Sequence, residues 1–263
     1  MRVTTAKPVA TPPDLDVAVE VFVRGYSFTR SFTYPYHAER VDGVWVVRDG
    51  PRKNAADYRR EEWVTLGDDA AGVHRVARRH TRGHYCVCAV RAAGEPDAPL
   101  RAAYKALGYR LGTTEPFMVH RLRRIPRLPE PFPVRRVRTP ELADTLAKAV
   151  GSRQVLPAHF SDDSPLWQYA AMDGSRPIGW VRSIAVEVAG GMATWVSNMH
   201  VEAKYRRRGI GRSLLARMLR DDRARGASAS YLLASHTGAL LYGAVGYEQL
   251  GELLVYTPAR RRP

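Results

Sequence analysis

A chain of 263 residues, 45% hydrophobic and 25% charged, suits a globular protein of one large domain or two ordinary ones. No apolar run approaches the roughly 20 residues of a membrane-spanning helix. The opening Met1-Arg2-Val3-Thr4-Thr5 lacks the apolar core of a secretory signal, so a cytoplasmic protein without a membrane partner is expected. A formal net charge of +15 would suit nucleic acid, but the 41 Lys and Arg are interleaved with 26 Asp and Glu and no recognised binding module occurs, which disfavours that partner.

Residues 1–13 are polar, carry Pro8, Pro12 and Pro13, and read as a loose terminus. Leu15 to Val23 is apolar without a clean period; its length and the capping Asp14 favour a helix over a strand. Val44–Val47 and Trp63–Leu66 read as strands separated by a charged loop. Asp68 or Asp69 is placed to cap a helix through Arg79, with Ala71, Val73, Val76 and Ala77 as its apolar positions. The strand Tyr85–Val90 carries Cys86 and Cys88 on one face, and a C-x-C pair cannot supply four metal ligands. Two free buried thiols and no metal are expected. A helix near 98–107 and a strand near 115–121 follow.

Residues 124–133 hold Pro126, Pro129, Pro131 and Pro133 and form an extended connector, the best domain boundary in the chain. Beyond it, Val134–Val137 is a short strand, and Thr139-Pro140-Glu141 opens a helix to about Val150. Leu166–Met172 and Ile178–Val188 make a hairpin around Asp173-Gly174-Ser175, and a Gly190-Gly191 turn leads to a third strand, 192–201. A helix over 210–225 stops at Gly226, followed by a strand at 230–234, a short helix at 237–244 and a last strand at 249–256. Tyr104-Lys105-Ala106-Leu107-Gly108-Tyr109 matches Tyr242-Gly243-Ala244-Val245-Gly246-Tyr247, each copy between two strands, so the chain reads as two related α/β units.

The stretch Arg206-Arg207-Arg208-Gly209-Ile210-Gly211-Arg212 lies between a strand and a Leu-rich helix. Glycines let a backbone approach a ligand closely, and the free N–H groups of a first helical turn attract anions. Its Arg206-x-x-Gly209-x-Gly211 pattern resembles the acetyl-CoA loop of GNAT-type N-acetyltransferases, and Leu241-Tyr242-x-x-x-Gly246-Tyr247 resembles that family's second signature. The order β-α-β-β-β-α-β-α-β across 134–256 agrees with its fold. The resemblance implies an α/β protein with a mixed sheet, the GNAT acyl-CoA N-acyltransferase fold, acting as an acetyl-CoA-dependent N-acetyltransferase by direct attack in a ternary complex.

The resemblance also assigns roles. Backbone N–H groups of Arg208, Gly209, Ile210, Gly211, Arg212 and Ser213 would cradle the pyrophosphate of acetyl-CoA, with charge from Arg206 and Arg207. Met199, His200 and Val201 would line the cofactor, Val201 meeting the pantetheine through its backbone, and Ser235 would stand where the family has an asparagine. Tyr242 would protonate the departing thiolate. Trp195 and Ser197 occupy the positions where many members carry a Glu or His base, and neither serves. Strand alternation would turn Asn198 and His200 away from Ser197. Glu202 lies close by in sequence, and His159, Asp162 and Asp163 stand where they could reach a substrate cleft, so the base stays unassigned.

The expected organisation is a terminus at 1–13, a degenerate GNAT-like unit at 14–123 in which Leu66-Gly67-Asp68-Asp69 replaces the phosphate loop, the connector at 124–133, an acetyl-CoA-binding GNAT domain at 134–259 and a basic tail at 260–263. Two carboxylates at a helix start repel pyrophosphate, so one cofactor site is expected. The acceptor is a small-molecule or peptide amine of unread identity, and a homodimer is compatible with the sequence. The competing reading is a non-catalytic acyl-CoA-binding or sensory module.

Overall fold

The computed structural model describes residues 13–67 and 69–259. The basic tail, the terminus before Pro13, Asp68 and the side chain of Asp14 lie outside it. In the first half run helix α1 (Pro13–Arg30), strands β1 (Tyr36–Val41), β2 (Val44–Asp49) and β3 (Glu61–Leu66), helix α2 (Ala70–His80), β4 (Tyr85–Ala92), α3 (Ala98–Ala106) and β5 (Tyr109–His120). After the connector come β6 (Val134–Arg136), α4 (Pro140–Val150), β7 (Leu166–Asp173), β8 (Arg176–Val188), β9 (Gly191–Val201), α5 (Ile210–Ala224), β10 (Ala227–Leu233), α6 (His236–Gly243) and β11 (Glu248–Pro258).

The expected elements are present with ends shifted by a few residues, and β1 is an addition: residues 36–41, to which the sequence assigned no element, pair with β2 through a tight turn at Asp42 and Gly43, both at positive φ. Asp69 caps α2 by accepting the Gly72 N–H at 2.8 Å, and Thr139 caps α4. Cys86 and Cys88 are free and buried on one face, their sulfurs 3.9 Å apart.

All eleven strands of the described residues form one mixed sheet in the order β1-β2-β3-β4-β11-β5-β10-β9-β8-β7-β6. The last strand of each half sits beside the other half: β11 pairs with β4, β5 pairs with β10, and β5 and β11 run antiparallel along each other at the centre. The two matching hexapeptides lead into these strands at equivalent places. Each passes from a helix end through a left-handed glycine (Gly108 φ 82°, Gly246 φ 105°). Each sets its two tyrosines edge to face, at 5.5 Å for Tyr104–Tyr109 and 5.7 Å for Tyr242–Tyr247.

Helix α1 explains its own irregular pattern. Leu15, Ala18, Val19, Val21, Phe22 and Val23 are all buried, because the helix touches β1, β2 and β3 on one side and β8, β9 and β10 on another. A helix enclosed by a curling sheet needs apolar residues around its circumference. With α4 it covers one face of the second half, while α5 and α6 cover the opposite face. Asp222 fastens α5 to the sheet: fully buried, it accepts Ser183 Oγ at 2.8 Å, Thr194 Oγ1 at 3.1 Å and Arg225 Nη2 at 2.7 Å.

Candidate active site

The sheet has two parallel strand pairs, and they differ. β3 and β4 stay in register from Glu61↔Tyr85 to Leu66↔Val90. β9 and β10 pair only from Met192↔Ala227 to Trp195↔Tyr231, after which β9 continues to Val201 along β8 and β10 to Leu233 along β5 without pairing with each other. That parting leaves backbone groups of both strands free of each other, which a buried ladder does not tolerate unless something else takes them. The slot opens towards the glycine loop.

The loop itself carries two left-handed residues, Arg207 (φ 64°) and Gly209 (φ 82°), before α5 begins at Ile210. A non-glycine residue in that region costs energy and marks a backbone held for a purpose. Ile210 buries its side chain, so only its N–H group is offered, and Arg206, Arg207, Arg208 and Arg212 are exposed around it. Ser213 departs from the expectation: its N–H donates to the Gly209 carbonyl at 3.0 Å as the first bond inside α5 and its hydroxyl to the Ile210 carbonyl at 2.9 Å, so neither is left for an anion. A Cβ on Gly211 would stand 3.1 Å from both Met199 Cε and Leu241 Cδ2, so glycine there lets the first turn of α5 close on β9 and α6. Arg206 Nε donates to the Val201 carbonyl at 3.0 Å, tying the loop back to the strand end. The connector packs alongside, Pro131 next to Gly209 and Phe132 edge-on to Tyr205 at 5.8 Å.

Strand alternation fails in β9, and this corrects the expectation for Asn198 and His200. Trp180 and Arg182 on β8 face His200 and Ser197, so three residue steps on β9 match two on β8, with Asn198 in the left-handed region at φ 53°. This is a β-bulge, which shifts every later side chain by one. Met199 and Val201 thereby join the core under α5, while His200 stacks on Trp180 at 4.6 Å and Asn198 bonds Gln154, on the face that α1 and α4 cover. Ser197, Asn198 and His200 end on one side of the slot. The Ser197 hydroxyl is buried with no partner.

Across the slot, Ser235 caps α6, accepting the Gly238 N–H at 3.1 Å. Tyr242 is buried in that helix, and burial pushes its phenol up to about 12. The remaining candidates are brought in selectively. Glu202 is engaged by Arg176 at 2.9 Å, and exposed Asp162 by Arg136 and Arg138. His159 is buried between Phe28 (5.7 Å) and Phe32 (5.2 Å), and its Nδ1 accepts the Leu156 N–H at 3.1 Å, which leaves no lone pair on Nε2 for a base.

Sequence reasoning missed two charged residues here. Glu115 lies on β5, on the same face as Phe117, whose ring meets Trp195 at 6.2 Å; burial raises its pKa above the usual glutamate value, opposed by His236. Arg182 lies on β8 opposite Ser197. Neither belongs to a motif, and each is recognisable only once the strands are ordered. Among the described residues no group of three or more His, Cys, Asp or Glu is placed to hold a metal, and no helix is long and apolar enough to cross a membrane.

Residues 166–249, from β7 to the start of β11, match the family model of the acetyltransferase (GNAT) domain. This stretch is a GNAT domain. It contains the slot, the glycine loop, Ser235 and Tyr242. Solved structures agree on the fold. A GCN5-related N-acetyltransferase from Kribbella flavida superposes with a TM-score of 0.63 at 14% identity, covering 93% of this chain and 96% of its own. One from Sphaerobacter thermophilus gives 0.52 at 17% identity over 84% and 80%, and a GCN5-related N-acetyltransferase-like protein from Streptococcus suis 0.51 at 14% over 84% and 88%. No curated protein matches the chain. The mixed sheet is thus the GNAT acyltransferase fold, and the likeness to these structures extends well beyond residues 166–249.

Proposed function

We propose that the protein is an acetyl-CoA-dependent N-acetyltransferase that acetylates a primary amine by direct attack in a ternary complex. The observation that carries this is the parted β9–β10 pair running into a left-handed glycine loop at the positive end of α5. The residues fit the cofactor: exposed arginines rim the loop, Gly211 keeps the first turn of α5 close to β9, and free strand edges line the slot. Acetyl-CoA supplies an activated thioester. The chain's own part is to hold the pyrophosphate on the N–H groups of residues 208–212, to bind pantetheine along Met199–Val201 and to align the amine. Tyr242, with a pKa near 12, keeps its proton at neutral pH and hands it to the departing thiolate. Glu115, raised by burial and facing the α1-covered side, receives the amine proton.

We read residues 14–123 as a closed copy of the same unit. The continuous β3–β4 ladder and Asp69 at the α2 N-terminus leave no slot there, so one cofactor binds per chain. The absence of a carboxylate on β9 between Trp195 and Val201 favours a second reading, a non-catalytic acyl-CoA sensor.

Thermal unfolding with acetyl-CoA tests the cofactor. A hundredfold excess over Kd is expected to add about 2.7 kcal/mol of stability, and Gly209→Glu, which brings a carboxylate and a strained backbone to the loop, is expected to abolish that gain. No gain in the native protein, or an undiminished gain in the variant, overturns the reading. Thiol release across an amine panel separates enzyme from sensor.

A further inference from the structure

Arg182 is buried to 8% exposure, yet no carboxylate is paired with it among the described residues. A buried guanidinium without a counter-ion is costly. Its Nη2 donates to the side-chain oxygen of Gln154, and its Nε is buried with no partner at all. Burial draws its pKa down to about 10. Asn198, at the bulge, donates to the same Gln154 oxygen at 2.6 Å, while the Gln154 amide nitrogen is held by Ser152 at 2.9 Å. Two donors from neighbouring strands thus converge on one neutral oxygen. Phe32 lies 6.0 Å from the guanidinium, and His159 packs against Phe32 with tilted rings.

We infer that Arg182 and Asn198 form a subsite for a carboxylate carried by the acceptor amine, beside Ser197 on the face that α1 and α4 cover. This rests on the acetyltransferase reading and narrows its substrate class to amines that also bear a carboxylate, amino acids and short peptides among them. A guanidinium and a planar carboxylate match as a two-pronged pair, and the incoming anion satisfies the Nε–H that Gln154 leaves unmet. Asn198 is exposed, so the pair has one solvent-facing end.

The test compares thiol release from acetyl-CoA with matched amines that differ in the carboxylate, such as phenylalanine with phenethylamine, lysine with cadaverine, and a dipeptide with its amide. The carboxylate-bearing member of a pair is expected to show a kcat/KM about 10- to 100-fold higher, the worth of a hydrogen-bonded charge. Arg182→Met is expected to erase the preference through KM, with the stabilisation by acetyl-CoA unchanged. Asn198→Ala, at an exposed position, reports independently if Arg182→Met does not fold, and is expected to reduce the preference. Equal use of both members, a preference that survives both variants, higher activity on amines bearing a phosphate, or no turnover of any carboxylate-bearing amine by a protein that acetyl-CoA stabilises would each overturn the inference. A protein that acetyl-CoA does not stabilise overturns the acetyltransferase reading beneath it instead.

Discussion

At the scale of single residues, the site divides by what a motif can reveal. Gly209, Gly211 and Tyr242 were legible because a left-handed turn, a close approach and a helix-borne phenol each demand one residue type at a set spacing. Arg182 and Glu115 were not, since they lie 27 and 94 residues before Gly209 and only the strand order gathers them. Tyr242→Phe is expected to lower kcat about 100-fold with little change in the KM for acetyl-CoA, since the phenol acts on the leaving group; a normal kcat removes its acid role. Glu115 works as a base only when ionised, and burial raises its pKa, so activity should be lost as pH falls through a value above the ordinary glutamate range. A kcat/KM profile should show that acidic limb in the native protein and lose it in Glu115→Gln. A limb unchanged in the variant would assign the proton to another group.

At the scale of elements, helix α1 and strand β9 show where pattern reading stops. The apolar run of α1 had no clean period because the sheet meets it from several directions, a tertiary fact that no local window contains. The crossing is close enough to require glycine: a Cβ on Gly25 would stand 2.3 Å from Trp195 Cβ. Gly25→Ala is therefore expected to cost about 3 kcal/mol in urea unfolding, although alanine is the better helix former; a stabilised variant would contradict the packing described. Strand β1 was missed although Asp42-Gly43 is a strong hairpin signal, because His37, Glu39 and Arg40 obscured the alternation around it. The β9 bulge had no signal in the sequence. Its cause is pairing with β8, and its effect is to send Asn198 and His200 to the side that alternation denied them.

At the scale of the whole molecule, the connector at 124–133 separates two stretches of sequence that share one sheet. β5 and β11 each complete the other half, so neither half has a finished edge alone. A fragment of residues 124–263 should leave β10 and β11 without β5 between them and should not bind acetyl-CoA as a monomer, whereas co-expression with 1–123 should restore binding. Thermal unfolding of the intact chain should show one transition by calorimetry; two transitions would mean that the halves melt separately. The placement of β11 also bears on how the molecule is made. Of the eleven strands it leaves the ribosome last, yet it belongs at the middle, between β4 and β5. During synthesis both of those strands wait with open edges, long after their own sequence has emerged. The nascent chain is exposed to mispairing with its neighbours on the same message until its final strand slides in.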